Sequence, residues 1–422
     1  MLHRTPWLPI ALCLLSVGCS TPPPLTLMTT PVIYLDGAID PFAHLHHSER
    51  KLPVSLFFAT NRQPEADGGF GNGLADRLYL GQAEVRLGSD QHSWDDLYRA
   101  SRSEQRDSEI PLQLKRVERR GDLALDASPP VPLPADLQAY ADAINLELER
   151  ARDREIIVYV HGTKVDFANA CELIAEVDHF AGRDFVGLAF AWPSHQNIAS
   201  YLLGIDVKRA QHSSEALVRL IQFLGLHTAA ERINLIAYSA GGRVLSKALA
   251  ELQQSYPQLN HEQLQTRFRI GAAVFAAADV PEETFEERLP SVSLMAEQVL
   301  ITTSDNDDAL RYAHRLMPGG VRIGSNEASQ ALTSFVERRH LDNVNVLDLS
   351  FDRERRGFDI AGHHYWYRHA WASSDVILLM RTNLPPARRG LSATEHPAIW
   401  YMESGYPDSV REATRRELEG QW

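Results

Sequence analysis

The chain has 422 residues, enough for one large domain with additions or two ordinary ones at ~100–200 residues each. Apolar types make up 44% and charged types 23%, which excludes a disordered, collagenous or coiled-coil chain and predicts a globular protein with a large core. Lys plus Arg number 42 against 55 Asp plus Glu, a net charge of -13; no dense basic tract offsets it, so nucleic acid is not an expected partner.

Met1 to Arg4 carries one positive charge, Trp7 to Val17 is a mostly apolar run of 11 residues, and Gly18-Cys19 follows. That run is shorter than the ~20 residues a bilayer crossing needs but suits an export signal, so residues 1–18 read as a signal peptide, with an uncleaved apolar anchor as the rival. The string LSVGC, Leu15 to Cys19, resembles the lipobox of bacterial lipoproteins. The resemblance implies lipidation at Cys19, a membrane contact made by that anchor, and, with Ser20 next, a place in the cell envelope at the outer membrane. Residues 19–50 are expected to be a Pro-rich leash, in which His44, His46 and His47 form a solvated tract rather than a zinc site. Three cysteines make no disulfide framework; Cys171 lies in an amphipathic helical pattern and is expected to be buried and inert.

From residue 51 strand-like and helical runs alternate, which predicts an α/β fold with a central, mostly parallel sheet flanked by helices over 51–385, and a charged tail over 386–422. Val54 to Thr60 and Leu78 to Leu87, joined by a Gly-rich turn, suggest an antiparallel entry. Residues 100–135, charged and then Pro-rich, are expected to be an exposed excursion. Ile156 to Val160 is a continuous apolar strand of the doubly buried kind running into His161-Gly162-Thr163; Phe185 to Trp192 is the next. Leu217, Leu220, Ile221 and Leu224 have the spacing of a helix. Ile233 to Tyr238 is a third buried strand that breaks at Ser239 into a helix with Val244, Leu245, Ala248 and Leu249 on its inner face.

The break is AYSAG, Ala237 to Gly241, which fits the nucleophile elbow G-x-S-x-G with Ala in the first position. A serine on a strained strand-to-helix corner needs small neighbours two places either side. The same corner aims the Ala240 N–H and the helix N-terminus at an oxyanion. As a pentapeptide the signal is weak against a serine in a plain turn; the flanking strand and helix tip it toward function. A base and an orienting acid should follow in the order Ser, acid, His. Predicted strands end near Asp279, at Ser304 to Asp308, and ahead of Gly362-His363-His364, and parallel sheets place their sites at such strand ends.

Seven stretches together resemble a family of bacterial alpha/beta hydrolases of unknown function, esterase- or lipase-like and often exported or lipidated. They are FFATNR at Phe57 to Arg62, LGQAEV at Leu80 to Val85, VYVHGTKVDF at Val158 to Phe167, FAWPS at Phe190 to Ser194, AYSAGGRVL at Ala237 to Leu245, SDNDDAL at Ser304 to Leu310 and GHHYW at Gly362 to Trp366. The resemblance implies Ser239 as nucleophile, Asp307 as acid and His363 as base, with His364, His369 and His314, and Asp305, Asp308 and Asp279, as rivals. It departs at Tyr238, where the family commonly has His, which bears on pocket shape. His161 is expected to be structural, its loop presenting a backbone donor at Thr163 or a neighbour. Arg62 is expected to be a buried clamp for loop carboxylates, and Tyr365, Trp366, Tyr367 and Trp371 to be core. The expected chemistry is cleavage of a small-molecule or lipid carboxylic ester through an acyl-enzyme, needing no metal or organic cofactor. The rival is a feeble or inactive binding or assembly protein of the envelope on the same fold. Oligomeric state and acyl length leave no mark in the sequence.

Overall fold

The computed structural model describes residues 24–66, 68–350 and 368–418. The apolar runs become the strands β1 (Pro53–Pro64), β2 (Phe70–Leu87), β3 (Leu112–Ala124), β4 (Glu155–Val160), β5 (Val186–Phe190), β6 (Arg232–Tyr238), β7 (Ile270–Ala276), β8 (Gln298–Thr303), β9 (Val344–Asp348), β10 (Ser392–Ala393) and β11 (Ile399–Tyr401). They form one 11-stranded sheet in the order β10-β11-β9-β8-β7-β6-β4-β5-β1-β2-β3. From β11 to β1 all neighbours run parallel. β2 and β3 add an antiparallel edge, as the first two runs suggested, and β10 adds another.

The described helices are α1 (Trp94–Ala100), α2 (Ala135–Arg150), α3 (Phe167–Phe180), α4 (Ile198–Leu202), α5 (Ile205–His227), α6 (Gly241–Gln254), α7 (His261–Phe268), α8 (Glu282–Met295), α9 (Asp308–Leu316), α10 (Asn326–Arg339), α11 (Ala370–Thr382) and α12 (Tyr406–Leu418). Side chains alternate faces along a strand, so each central strand feeds two cores. Ile156, Val158 and Val160 of β4 join Leu217, Leu220, Leu245 and Leu249 of α5 and α6 in one. Ile157 and Tyr159 join Ile174 of α3, Leu378 of α11 and Val410 of α12 in the other. No described helix is long and apolar enough to cross a membrane.

Three boundaries differ from the expectation. Residues 112–124, inside the stretch expected to be an exposed excursion, form β3, which pairs with β2 over most of its length. Of the expected leash, residues 24–50 pack down: Leu27, Met28, Val32, Ile33 and Tyr34 are buried, and the Met28 N–H donates to Glu176 Oε2 at 2.7 Å. The expected tail supplies β10, β11 and α12, and β11 pairs with β9. Cys19 and the signal segment lie outside the described residues.

Candidate active site

Ser239 occupies the corner between β6 and α6 with φ of 52°, a left-handed conformation that costs a serine of order 1–3 kcal/mol unless its surroundings hold it. They do: its N–H donates to Ala276 O at 3.0 Å, and its carbonyl accepts from Gly242 N at 3.0 Å and Asp279 N at 3.1 Å. Small residues permit the approach. Gly162 comes so close that an added Cβ would lie 3.0 Å from Ser239 Cβ, and Gly241 abuts the Val160 and His161 carbonyls.

The loop after β4 is therefore pressed against the elbow, and its carbonyls are engaged elsewhere. The His161 carbonyl accepts from Trp192 Nε1 at 2.6 Å, and that of Gly162 lies 2.7 Å from His161 Nδ1. Val165 O accepts from Ser194 Oγ at 2.8 Å and from Arg62 Nη2 at 2.6 Å. Thr163 Oγ1 donates to Asp206 Oδ2 at 3.3 Å. The N–H groups of Thr163 and Ala240 donate to no acceptor among the described residues.

His161 is fully buried and stacked on Trp192 with ring centroids 5.3 Å apart. Burial first, then the Arg62 charge, push its pKa down to about 3, so the ring is neutral. Arg62 is a clamp, but for carbonyls rather than carboxylates: besides Val165 O it holds Gly71 O and Asn72 Oδ1. Burial brings its own pKa down to about 10.

Of the four acids, Asp307 is buried at the C-terminal end of β8, where it caps α9 and accepts from Leu310 N at 3.0 Å. Asp308 turns outward to Arg311. The Asp305 N–H donates to Ser350 Oγ at 2.9 Å, tying the loop after β8 to that after β9. Asp279, after β7, is held by Arg322 Nε at 2.6 Å and Arg243 Nη2 at 3.3 Å. Of the imidazoles, His363 and His364 lie outside the described residues, as do Tyr365, Trp366 and Tyr367. His314 lies 3.4 Å from Glu327, and His369 caps α11 through Trp371 N. Trp371 packs on Tyr406, with ring centroids 5.9 Å apart. The described structure thus sets Gly162, next to Thr163, against Ser239, and places Asp307 after β8, two strands from β6 and beyond β7. Among the described residues no group of three or more His, Cys, Asp or Glu is placed to hold a metal.

Two features beside the elbow were missed from sequence. His195 Nδ1 lies 2.6 Å from the fully buried Asp206 carboxylate, which also braces Thr163. Arg243 and Arg322 converge on Asp279. Neither has a local signature, because the partners lie 11, 36 and 43 residues apart.

The family model described as an alpha/beta hydrolase of unknown function (DUF900) matches residues 137–369, more than half of the chain. No curated protein matches the chain. Among solved structures it is similar to an inhibited esterase B from Lactobacillus rhamnosis, at 12% identity and a TM-score of 0.27, covering 46% of this chain and 64% of that one. It is also similar to a lipase-esterase related protein from Clostridium acetobutylicum, at 10% identity and a TM-score of 0.29, covering 55% of this chain and 96% of that one. A third similarity, to an acylaminoacyl peptidase from Pyrococcus horikoshii, has 11% identity and a TM-score of 0.34, covering 73% of this chain and 54% of that one. The chain thus spans a little under two thirds of the Lactobacillus esterase's length.

Proposed function

Since the chain belongs to the alpha/beta hydrolases of unknown function (DUF900), we propose that it is a serine hydrolase cleaving carboxylic esters, with Ser239 as nucleophile, His363 as base and Asp307 as acid. Ser239 Oγ attacks the ester carbonyl while His363 takes its proton; the same proton goes to the departing alcohol as the acyl-enzyme forms. Water, deprotonated in turn by His363, then attacks the acyl carbon and releases the acid and the free serine. Asp307 holds the imidazole tautomer and stabilises its cation. The Thr163 and Ala240 N–H groups receive the oxyanion; one such donor is typically worth about 2.7–4 kcal/mol, and the acid–base step ~10²–10⁴ in rate.

The observation that carries this reading is the left-handed Ser239 at the end of β6, packed against a loop whose carbonyls are turned to other partners. A fluorophosphonate probe is expected to label the wild-type chain and not Ser239→Ala, and a nitrophenyl butyrate assay to show turnover only where labelling occurs. An unlabelled, inactive wild type would leave the envelope binding or assembly protein in its place. The LSVGC string further supports lipid anchoring at Cys19 in the cell envelope; incorporation of radiolabelled palmitate should then vanish in Cys19→Ala.

A further inference from the structure

Among the described residues, two buried arginines meet a single carboxylate behind the elbow. Arg243 lies on the first turn of α6, four residues past Ser239, its own N–H donating to Ala240 O at 3.1 Å. Its Nη2 donates to Asp279 Oδ2 at 3.3 Å and its Nε to the Tyr201 hydroxyl of α4 at 3.2 Å. Arg322, fully buried, donates to the other oxygen of the same carboxylate at 2.6 Å. The rest of its fork goes to the carbonyls of Ala313, Pro318 and Gly320. Among the described residues no second carboxylate pairs with either guanidinium, so two cations share one anion. Arg322 donates from all three of its nitrogens. Arg243 does not: its Nη1 bonds to no described residue, and the residue keeps 9% exposure.

The cluster is also joined to the elbow, since the Asp279 N–H donates to the Ser239 carbonyl and the Arg243 N–H to that of Ala240. A buried cation without a full complement of anions is costly. It is worth keeping where a ligand brings the missing charge, and an arginine fork is the side chain best matched to a carboxylate. Burial, then repulsion from Arg322, lower the Arg243 pKa to about 9, which leaves it cationic at neutral pH. Resting on the serine-hydrolase reading, we propose that the substrate is an ester bearing a free carboxylate, and that Arg243 is the residue that receives it.

Two matched pairs of esters test this. One carries the charge on the acid side (nitrophenyl glutarate monoester against nitrophenyl valerate). The other carries it on the alcohol side (the butyryl ester of para-hydroxybenzoate against that of its methyl ester). The wild type is expected to prefer the anionic member of at least one pair by about tenfold or more in kcat/KM, a charge-assisted hydrogen bond's worth, with the difference in KM. In Arg243→Gln the ratio should fall to about one, and in Arg243→Lys part of it should return. Free glutarate should compete with the neutral ester where glutaramide does not; this comparison on the wild type decides the matter if fluorophosphonate labelling shows that the Gln variant has lost its fold. Equal rates within both pairs, or a preference that survives in Arg243→Gln, would overturn the assignment. A wild type that takes up no fluorophosphonate and cleaves none of the four esters brings down the hydrolase reading itself, a distinct failure.

Discussion

A methyl group added at Gly241 would collide with the Val160 carbonyl oxygen and sit 2.7 Å from that of His161. Both are backbone atoms, so neither can rotate away, and the strand β4 or the start of α6 would have to move. Gly241→Ala is therefore expected to cost about 2–3 kcal/mol, the upper part of the range for forced overpacking, and to abolish fluorophosphonate labelling by opening the elbow. Gly405 is the control: it has open space around its Cβ position and no left-handed φ, so Gly405→Ala should stay within about 0.5 kcal/mol in the same urea titration. Equal midpoints for the two variants would contradict the steric account. Ala237, at the matching position before the serine, is fully buried in the same hydrophobic core as Leu235 and Val244. This explains how much of the site was legible. The elbow is a local device, so its residue types stand side by side in the sequence, whereas the arginines that share Asp279 meet only when α6, the end of β7 and the loop before α10 are assembled.

At the scale of one element, α3 shows how tertiary cover overrides a local pattern. Around Cys171 the sequence has the look of an amphipathic helix, yet twelve of its fourteen residues are buried, and its polar groups are met by distant segments: Glu176 by Met28, the Phe180 carbonyl by Tyr34 and Glu172 by Leu114 of β3. Cys171 is buried with them and its thiol pKa is pushed up by burial. Three carboxyls are caught there: burial raises Glu172 to about 7, Glu176 to about 8 and Asp178 to about 7. In the unfolded chain they titrate near ~4. The fold thus holds protons the unfolded chain releases, and their contribution, complete below pH ~4, is lost as pH rises through about 8. His161, at about 3, and His179, well below its usual value, act in the opposite sense. Each is neutral in the fold, so their contribution is complete above the unfolded value of ~6.5 and is lost as pH falls below it. Above the histidine range the raised carboxyls set the sign, so the urea midpoint should fall as pH rises toward 8. Glu176→Gln, which keeps an acceptor for the Met28 N–H, should flatten that fall; an unchanged slope would show that Glu176 does not hold its proton in the fold.

For the molecule as a whole, the runs that became β4 to β9 were legible because strands buried on both faces are continuous in sequence and bounded by turns. The termini were not, because their contacts are with each other and with distant strands. The Val32 carbonyl accepts from Arg411 Nε at 3.0 Å, 379 residues away, and β11 is only three residues long, recognisable by its pairing with β9 and β10. Pro-rich spacing over 24–50 and charge over 386–422 therefore read as solvent-borne chain, although residues 24–50 and 386–418 both add to the core. One ion pair makes this testable. Arg389, in the C-terminal segment, donates from Nε and Nη2 to the two oxygens of Asp375 on α11 at 2.8 and 3.0 Å, with neither side chain more than 1% exposed. If the segment were an appendage, removing the arginine would leave Asp375 free to hydrate at little cost. With the segment part of the fold, Arg389→Met strands a buried carboxylate and should cost about 3–5 kcal/mol, while Arg389→Met combined with Asp375→Leu should recover most of it, since well-packed apolar replacements of a buried pair are close to neutral. A full double-mutant cycle by urea denaturation reads both numbers, and a single-variant cost below about 1 kcal/mol would return residues 386–422 to the status of a tail.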